Sequence, residues 1–149
     1  LEFSKAIKQS KFNSNYEMAL LNLWYTSNYI RDNHQSVFKD YDIKAQHYNV
    51  LRIINGQHPK PVSPGYIIDV MLDKGRDLTR LVDKLVKIGY LHRCTREDNR
   101  RKVAITITPE GQEVVREIGE KIAIWVARHK NLNEEESEQL SRLLDKMRK

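Results

Sequence analysis

Between Ser63 and Gly111 the spacing of apolar residues changes from helical to extended and back, and few folds accommodate that order. Leu78, Leu81, Val82, Leu85 and Ile88 recur at i, i+3, i+4, i+7 and i+10, the stripe of an amphipathic helix. Gly89 follows directly, in the place where a helix ends most easily in a left-handed residue. Val103, Ile105 and Ile107 then alternate with Ala104 and Thr106, the period of a half-buried strand. Tyr90-Leu91-His92-Arg93 supplies a partner strand, and the polar segment Thr95 to Arg101 makes the tip of a hairpin. Thr108-Pro109-Glu110 restarts a helix, with Thr108 as cap and Pro109 in the first turn, where its missing N–H costs nothing.

The flanks are helical. A long apolar and aromatic stripe runs from Tyr16 to Phe38 and includes Leu20, Leu23, Trp24, Ile30, Val37 and Phe38. So apolar a helix must bury itself against something sizeable, a second copy of the chain being one choice. Asp40-Tyr41-Asp42 breaks it, and a second helix from Lys44 to about Asn55 turns Tyr48, Val50, Leu51 and Ile54 inward. Gly56, Pro59, Pro61 and Pro64 make a linker. Ser63 caps a short helix to Met71, a turn spans Leu72 to Gly75, and the striped helix is expected from Arg76 to Ile88. After the hairpin, one helix runs to about Lys130. A last one starts at Asn133, with Glu136 reaching back to it and Leu140, Leu143, Leu144 and Met147 along one seam. The predicted fold is mainly α with a small β-hairpin. Helix-turn-helix followed at once by a strand pair is a winged helix.

Charge falls on the same region. Residues 74 to 102 hold ten Lys/Arg against four acids, an excess of six, which equals the formal charge of the whole chain, +6. Positive charge concentrated this way is suited to a polyanion. The face of the Arg76–Ile88 helix opposite its apolar stripe carries Arg76, Arg80, Asp83 and Lys87. Helices of this class read bases with their amino-terminal residues, which nominates Arg76, Asp77, Thr79 and Arg80. Lys74, Lys84, Arg93, Arg96 and Lys102 are candidates for phosphate. An arginine at the hairpin tip suits a narrow minor groove, and Asp98 beside Arg100 can orient a guanidinium. The competing reading is a solvated helix face and a charged turn that keeps the hairpin soluble.

Other chemistry finds little support. Phosphate-loop and dinucleotide motifs are absent, and the five histidines show no paired metal-ligand spacing, so neither metal nor cofactor is expected. Glu134-Glu135-Glu136 fits the first turn of a helix, where acids oppose the dipole. No apolar run is long enough to span a bilayer and no signal peptide is visible. With Cys94 as the single cysteine, a reducing, cytoplasmic setting is expected. Arg93 and Arg96 flank that thiol, but an incidental role is favoured for it. Trp24, Tyr25, Tyr29, His47, Tyr48 and Trp125 are candidates to surround a cavity for a small aromatic effector. Aromatic residues at helical spacing also make ordinary core, which is the commoner outcome.

From about Asn15 to Arg148 the chain resembles the MarR family of winged-helix transcription regulators. The residues that carry the resemblance run from Leu78-Thr79-Arg80-Leu81-Val82-Asp83 through Gly89-Tyr90-Leu91, and from Asp98-Asn99-Arg100-Arg101 through Thr108-Pro109-Glu110-Gly111. They follow the family's recognition helix, its wing D-x-R and its strand ending T-x-x-G. Counted back from Thr108, Asn99 and Arg101 take the Asp and Arg places of that wing. Counted forward, the literal motif is Asp98 and Arg100, so both arginines stay open, with Arg101 favoured.

At 149 residues the chain is expected to be a single domain, 1–149, and the resemblance implies dimerisation helices over 15–38 and 109–148. It places a winged-helix lobe over 43–107, with the helix-turn-helix over 63–88 and the wing over 90–107. It implies a homodimer on a near-palindromic operator in double-stranded DNA, repression at a promoter, and release by a small, often phenolic ligand or by thiol oxidation. No catalysis is expected. The rivals are a winged-helix module that binds protein and an enzyme on nucleic acid, for which the sequence offers no convincing metal-binding carboxylate cluster or nucleophile.

Overall fold

A computed structural model describes residues 2–96 and 99–149, and only the backbone of Arg96 and residues 99–102. The chain divides into two compact units, Leu1–Ala45 and Gln46–Lys149, where the sequence predicts one domain.

The first unit holds α1 (Glu2–Ala6), α2 (Asn15–His34) and a 3₁₀ turn at Gln35–Phe38. Ser14 starts α2: its hydroxyl accepts from the Glu17 amide at 3.0 Å, satisfying one of the free donors of the first turn. The Glu17 carboxylate reaches back to the Asn13 amide at 2.6 Å. Phe3 packs its ring against Phe12 and Tyr25. Val37, Phe38 and Ile43 are buried, but no residue of α2 is. Trp24 and Ile30 of the expected inward stripe are 58% and 47% exposed.

The second unit opens with α3 (Ala45–Gln57), which buries Tyr48, Val50, Leu51 and Ile54 as its spacing requires. Next comes α4 (Pro64–Val70), capped by Ser63 and started by Pro64, with Ile67 fully buried. The turn after α4 is anchored to α3, where the Asn49 side-chain oxygen accepts from the Leu72 amide at 2.9 Å. Leu78, Leu81, Val82 and Leu85 are the buried stripe of α5 (Leu78–Lys87). Gly89, at φ +87°, ends it. The Tyr90 amide bonds the Leu85 carbonyl and the Gly89 amide bonds that of Val86, the two bonds of a Schellman stop.

β1 (Leu91–Arg96) and β2 (Asn99–Ile107) pair antiparallel from Leu91 with Ile107 to Thr95 with Val103, and the register shifts at Arg96 with Asn99. Val62 adds a bridge on the other side of β2, exchanging both backbone bonds with Ile105. Neighbouring Ala104 and Ile105 are both buried, so mid-strand β2 is covered on both faces. The strict alternation expected of a half-buried strand therefore fails at Ala104.

Thr108 joins the wing to α6 (Pro109–Arg128). Its hydroxyl accepts from the Gly111 amide at 3.0 Å and donates to the Gly89 carbonyl at 2.7 Å. α7 (Glu134–Met147) begins with a full capping box between Asn133 and Glu136. Val114 and Ile118 of α6 are buried, whereas α7 buries nothing and leaves Leu140 and Leu143 exposed.

Candidate nucleic-acid interface

The exposed face of α5 is the centre of the candidate surface. Thr79, Arg80, Asp83 and Lys87 are exposed on it, opposite the buried stripe. The Arg80 side chain is 88% exposed. Its guanidinium lies 3.4 Å from the Asp77 carboxylate. An exposed pair of this kind is worth about 0–1 kcal/mol, so it yields readily to a phosphate or a guanine edge.

The helix begins later than its charge pattern suggests. Arg76 and Asp77 lie ahead of α5 rather than in its first turn. Asp77 is the N-cap: its backbone is extended and its carboxylate accepts from the Arg80 amide at 3.3 Å. A carboxylate at this position satisfies free N–H groups and favours the helix dipole, which is why the helix starts there. Arg76 is held in the turn by Asp73, with 2.7 Å between Nε and Oδ2. Lys74 also belongs to this turn and donates to the Asp69 carbonyl at 2.9 Å.

The wing is tied to α5 by charge. Arg93 of β1 bonds Asp83 of α5, 2.6 Å from Nη1 to Oδ1. Arg93, expected to touch phosphate, is bonded to a carboxylate in this structure. Lys84 is half-buried on the flank of α5. The backbone of Asn99, Arg100, Arg101 and Lys102 lies in β2, but their side chains, that of Arg96, and all of Asp98 are outside the described residues.

No family model matches the chain. Over 86 residues it is 29% identical to the HTH-type transcriptional regulator PecS of Dickeya dadantii (strain 3937), covering 57% of this chain and 52% of that protein. The chain spans about half the length of the curated relatives it matches. A MarR transcription factor from Planctomyces limnophilus superposes with TM-score 0.70 at 29% identity, covering 91% of this chain and 98% of that one. A mutant MarR from E. coli complexed with operator DNA superposes with TM-score 0.75 at 23% identity, covering 92% and 99%. The chain has the winged-helix fold of MarR-family regulators.

Within this MarR-type fold, α4 and α5 are the helix-turn-helix and β1–β2 is the wing. The residues proposed for an effector cavity divide between the two units. Trp24, Tyr25 and Tyr29 are exposed along α2. In the second unit His47 and Tyr48 are buried in α3, and burial pushes the Tyr48 phenol above its ordinary range. Trp125 of α6 stacks on His129, the residue that caps the helix end, at 4.4 Å. Among the described residues no His/Cys/Asp/Glu group can hold a metal, and no helix is long and apolar enough to cross a membrane.

Two features of the site go beyond what residue spacing shows. Spacing puts Asp83 on the exposed face of its helix and names no partner for it. The signal available was Arg93, one turn and a strand start further on. The other is an open groove of about 1060 Å³ between the Pro61–Pro64 connection and the wing, with Tyr66, Cys94 and Val103 on its walls. Cys94 is exposed there, its Sγ 3.7 Å from the Ala104 carbonyl.

Proposed function

We propose that this chain is a sequence-specific, double-stranded-DNA-binding transcription regulator that works as a homodimer and represses by occupying its operator. The exposed Arg80 face of α5, beside a hairpin that carries the rest of the chain's excess positive charge, is the observation that carries the reading. α5 enters the major groove, with Thr79 and Arg80 at base edges and Arg76 and Asp77 at its approach. Arg101 or Arg100 anchors the wing in the minor groove, with Asn99 or Asp98 beside it. Lys74, Lys84, Arg96 and Lys102 meet phosphates.

A dimer is supported by apolar surface that each unit leaves uncovered. In the first unit this is Trp24, Tyr25, Tyr29 and Ile30 on α2. In the second it is Ile124 and Val126 on α6 and Leu140 and Leu143 on α7. Scattered exposed apolar residues are normal, but several on one helix suit a partner helix. Two copies would present two α5 helices to major grooves one turn apart, about 34–36 Å, so the operator is near-palindromic. Release by a small aromatic effector, working in the cytoplasm, completes the proposal. The candidates to receive it are, in the first unit, Trp24, Tyr25 and Tyr29 of α2 and, in the second, His47, Tyr48 and Trp125.

Selection of duplexes from a random pool by the purified chain tests this directly. The expected product is a two-fold-symmetric site whose affinity falls steeply with salt, by about 0.9 logarithmic units per logarithmic unit of salt for each phosphate neutralised. Recovery of no preferred sequence, together with a salt-insensitive protein partner, would favour a protein-binding winged helix instead.

A further inference from the structure

We propose that Asp83 and Arg93 form a positioning pair that sets the first strand of the wing against the recognition helix. Arg93 then serves the duplex through Asp83 rather than by touching phosphate. The inference rests on the DNA-binding reading above.

Asp83 is a charge out of place on a basic surface. Asp83 lies three residues after Arg80 and four before Lys87, on the exposed face of α5. A carboxylate on a face that meets a polyanion is repelled by it, and the repulsion grows as water is displaced. Such a residue lowers affinity unless it does something else. Here it accepts a charge-assisted hydrogen bond of 2.6 Å from Arg93. The side chains are 51% and 41% exposed, so the bond is no part of the core.

Its location explains its use. Leu91 anchors the start of β1 in the core, being 1% exposed, while His92, Arg93, Cys94 and Thr95 are exposed. Beyond Leu91, the Arg93–Asp83 bond ties β1 back to α5. The wing tip and the base-reading end of α5 must engage two grooves at once. A bond that sets the angle between their supports is therefore felt in DNA binding before it is felt in stability. The same bond neutralises Asp83 and offsets its repulsion from phosphate.

The sign of one substitution separates this role from plain electrostatics. Asp83→Asn removes a negative charge from the DNA-facing surface, so charge alone predicts tighter binding. The positioning role predicts binding weaker by about two- to fivefold, the range an exposed pair can supply. The unfolding midpoint should stay with wild type. Arg93→Ala should lose a similar factor. The double variant Asp83→Asn/Arg93→Ala should lose no more than Arg93→Ala alone, the non-additivity of residues that act as a unit. Affinity is measured on a duplex recovered by selection with the wild-type chain. Asp83→Asn binding as tightly as wild type or tighter overturns the pair and returns Arg93 to phosphate. So does a double variant that loses the product of the two single factors. If wild type selects no duplex, the DNA-binding reading fails and takes the pair with it.

Discussion

The backbone carbonyl of Tyr90 occupies the space where a Cβ on Gly111 would stand. Ile107 Cγ1 closes the same space from the side, 2.8 Å from that position. Three backbone elements meet here: the end of α5, the end of β2 and the first turn of α6. The Thr108 amide donates to that same Tyr90 carbonyl at 3.1 Å, and the Thr108 hydroxyl bridges Gly89 and Gly111. The Thr108-x-x-Gly111 spacing is thus a junction in which one residue caps and the other makes room.

Gly111→Ala should therefore destabilise the second unit. The clash is with backbone, which cannot rotate away, so a loss of about 1–3 kcal/mol is expected, as for overpacking a core. Urea unfolding followed by circular dichroism measures it. A variant as stable as wild type would mean the junction is looser than described.

Asp77 is a cap first. Asp77→Ala should cost about 1 kcal/mol of stability, whereas Asp77→Asn, which keeps an acceptor oxygen, should cost little. The two thermal midpoints decide it: equal loss in both variants would assign the cost to charge rather than to capping.

Arg80→Ala should weaken binding to a selected duplex by about 1–3 kcal/mol, with the change concentrated at one base pair of each half-site. Arg101→Ala should weaken binding by a similar amount without disturbing the dimer. If Arg100→Ala has that effect instead, the wing pairs with the literal Asp98-x-Arg100 motif. Fluorescence anisotropy on operator variants reads both.

Leu143, 53% exposed on α7, should matter only in the assembled protein. Leu143→Glu puts a charge into a proposed helix contact and should shift sedimentation from dimer to monomer while leaving helicity unchanged. An unaltered sedimentation coefficient would place the contact elsewhere.

His34 links the first unit to pH. Burial holds its imidazole below the ordinary histidine value, and its ring meets Phe38 edge-on at 5.3 Å. The folded state therefore binds a proton less readily than the unfolded state. Its contribution is complete above about pH 6.5 and is lost as pH falls through the lower folded value. His34→Leu should flatten the unfolding midpoint between about pH 7 and pH 5. A slope identical to wild type would remove His34 as its cause.

Much of this was legible in the order of residues. The stripe from Leu78 to Leu85, the stop at Gly89, the caps at Ser63, Thr108 and Asn133, and the strand around Ile105 all follow from local spacing. Local spacing is what decides helix, strand and turn. The surplus charge of residues 74 to 102 points to the proposed DNA-binding surface for the same reason, since it needs only counting. Charge periodicity starts α5 two residues early, at Arg76 rather than Leu78, because it cannot tell a first-turn residue from a cap.

Pairing was not legible. That Arg93 goes to Asp83, Arg76 to Asp73, and Thr108 to both Gly89 and Gly111 depends on which backbones are brought side by side. The bridge of Val62 to Ile105 likewise joins segments far apart along the chain. Sequence determined the elements and the sign of the surface, because these arise from neighbours along the chain. Only the tertiary structure decided which charges are already spoken for, because a side chain's partner is set by distances that folding creates.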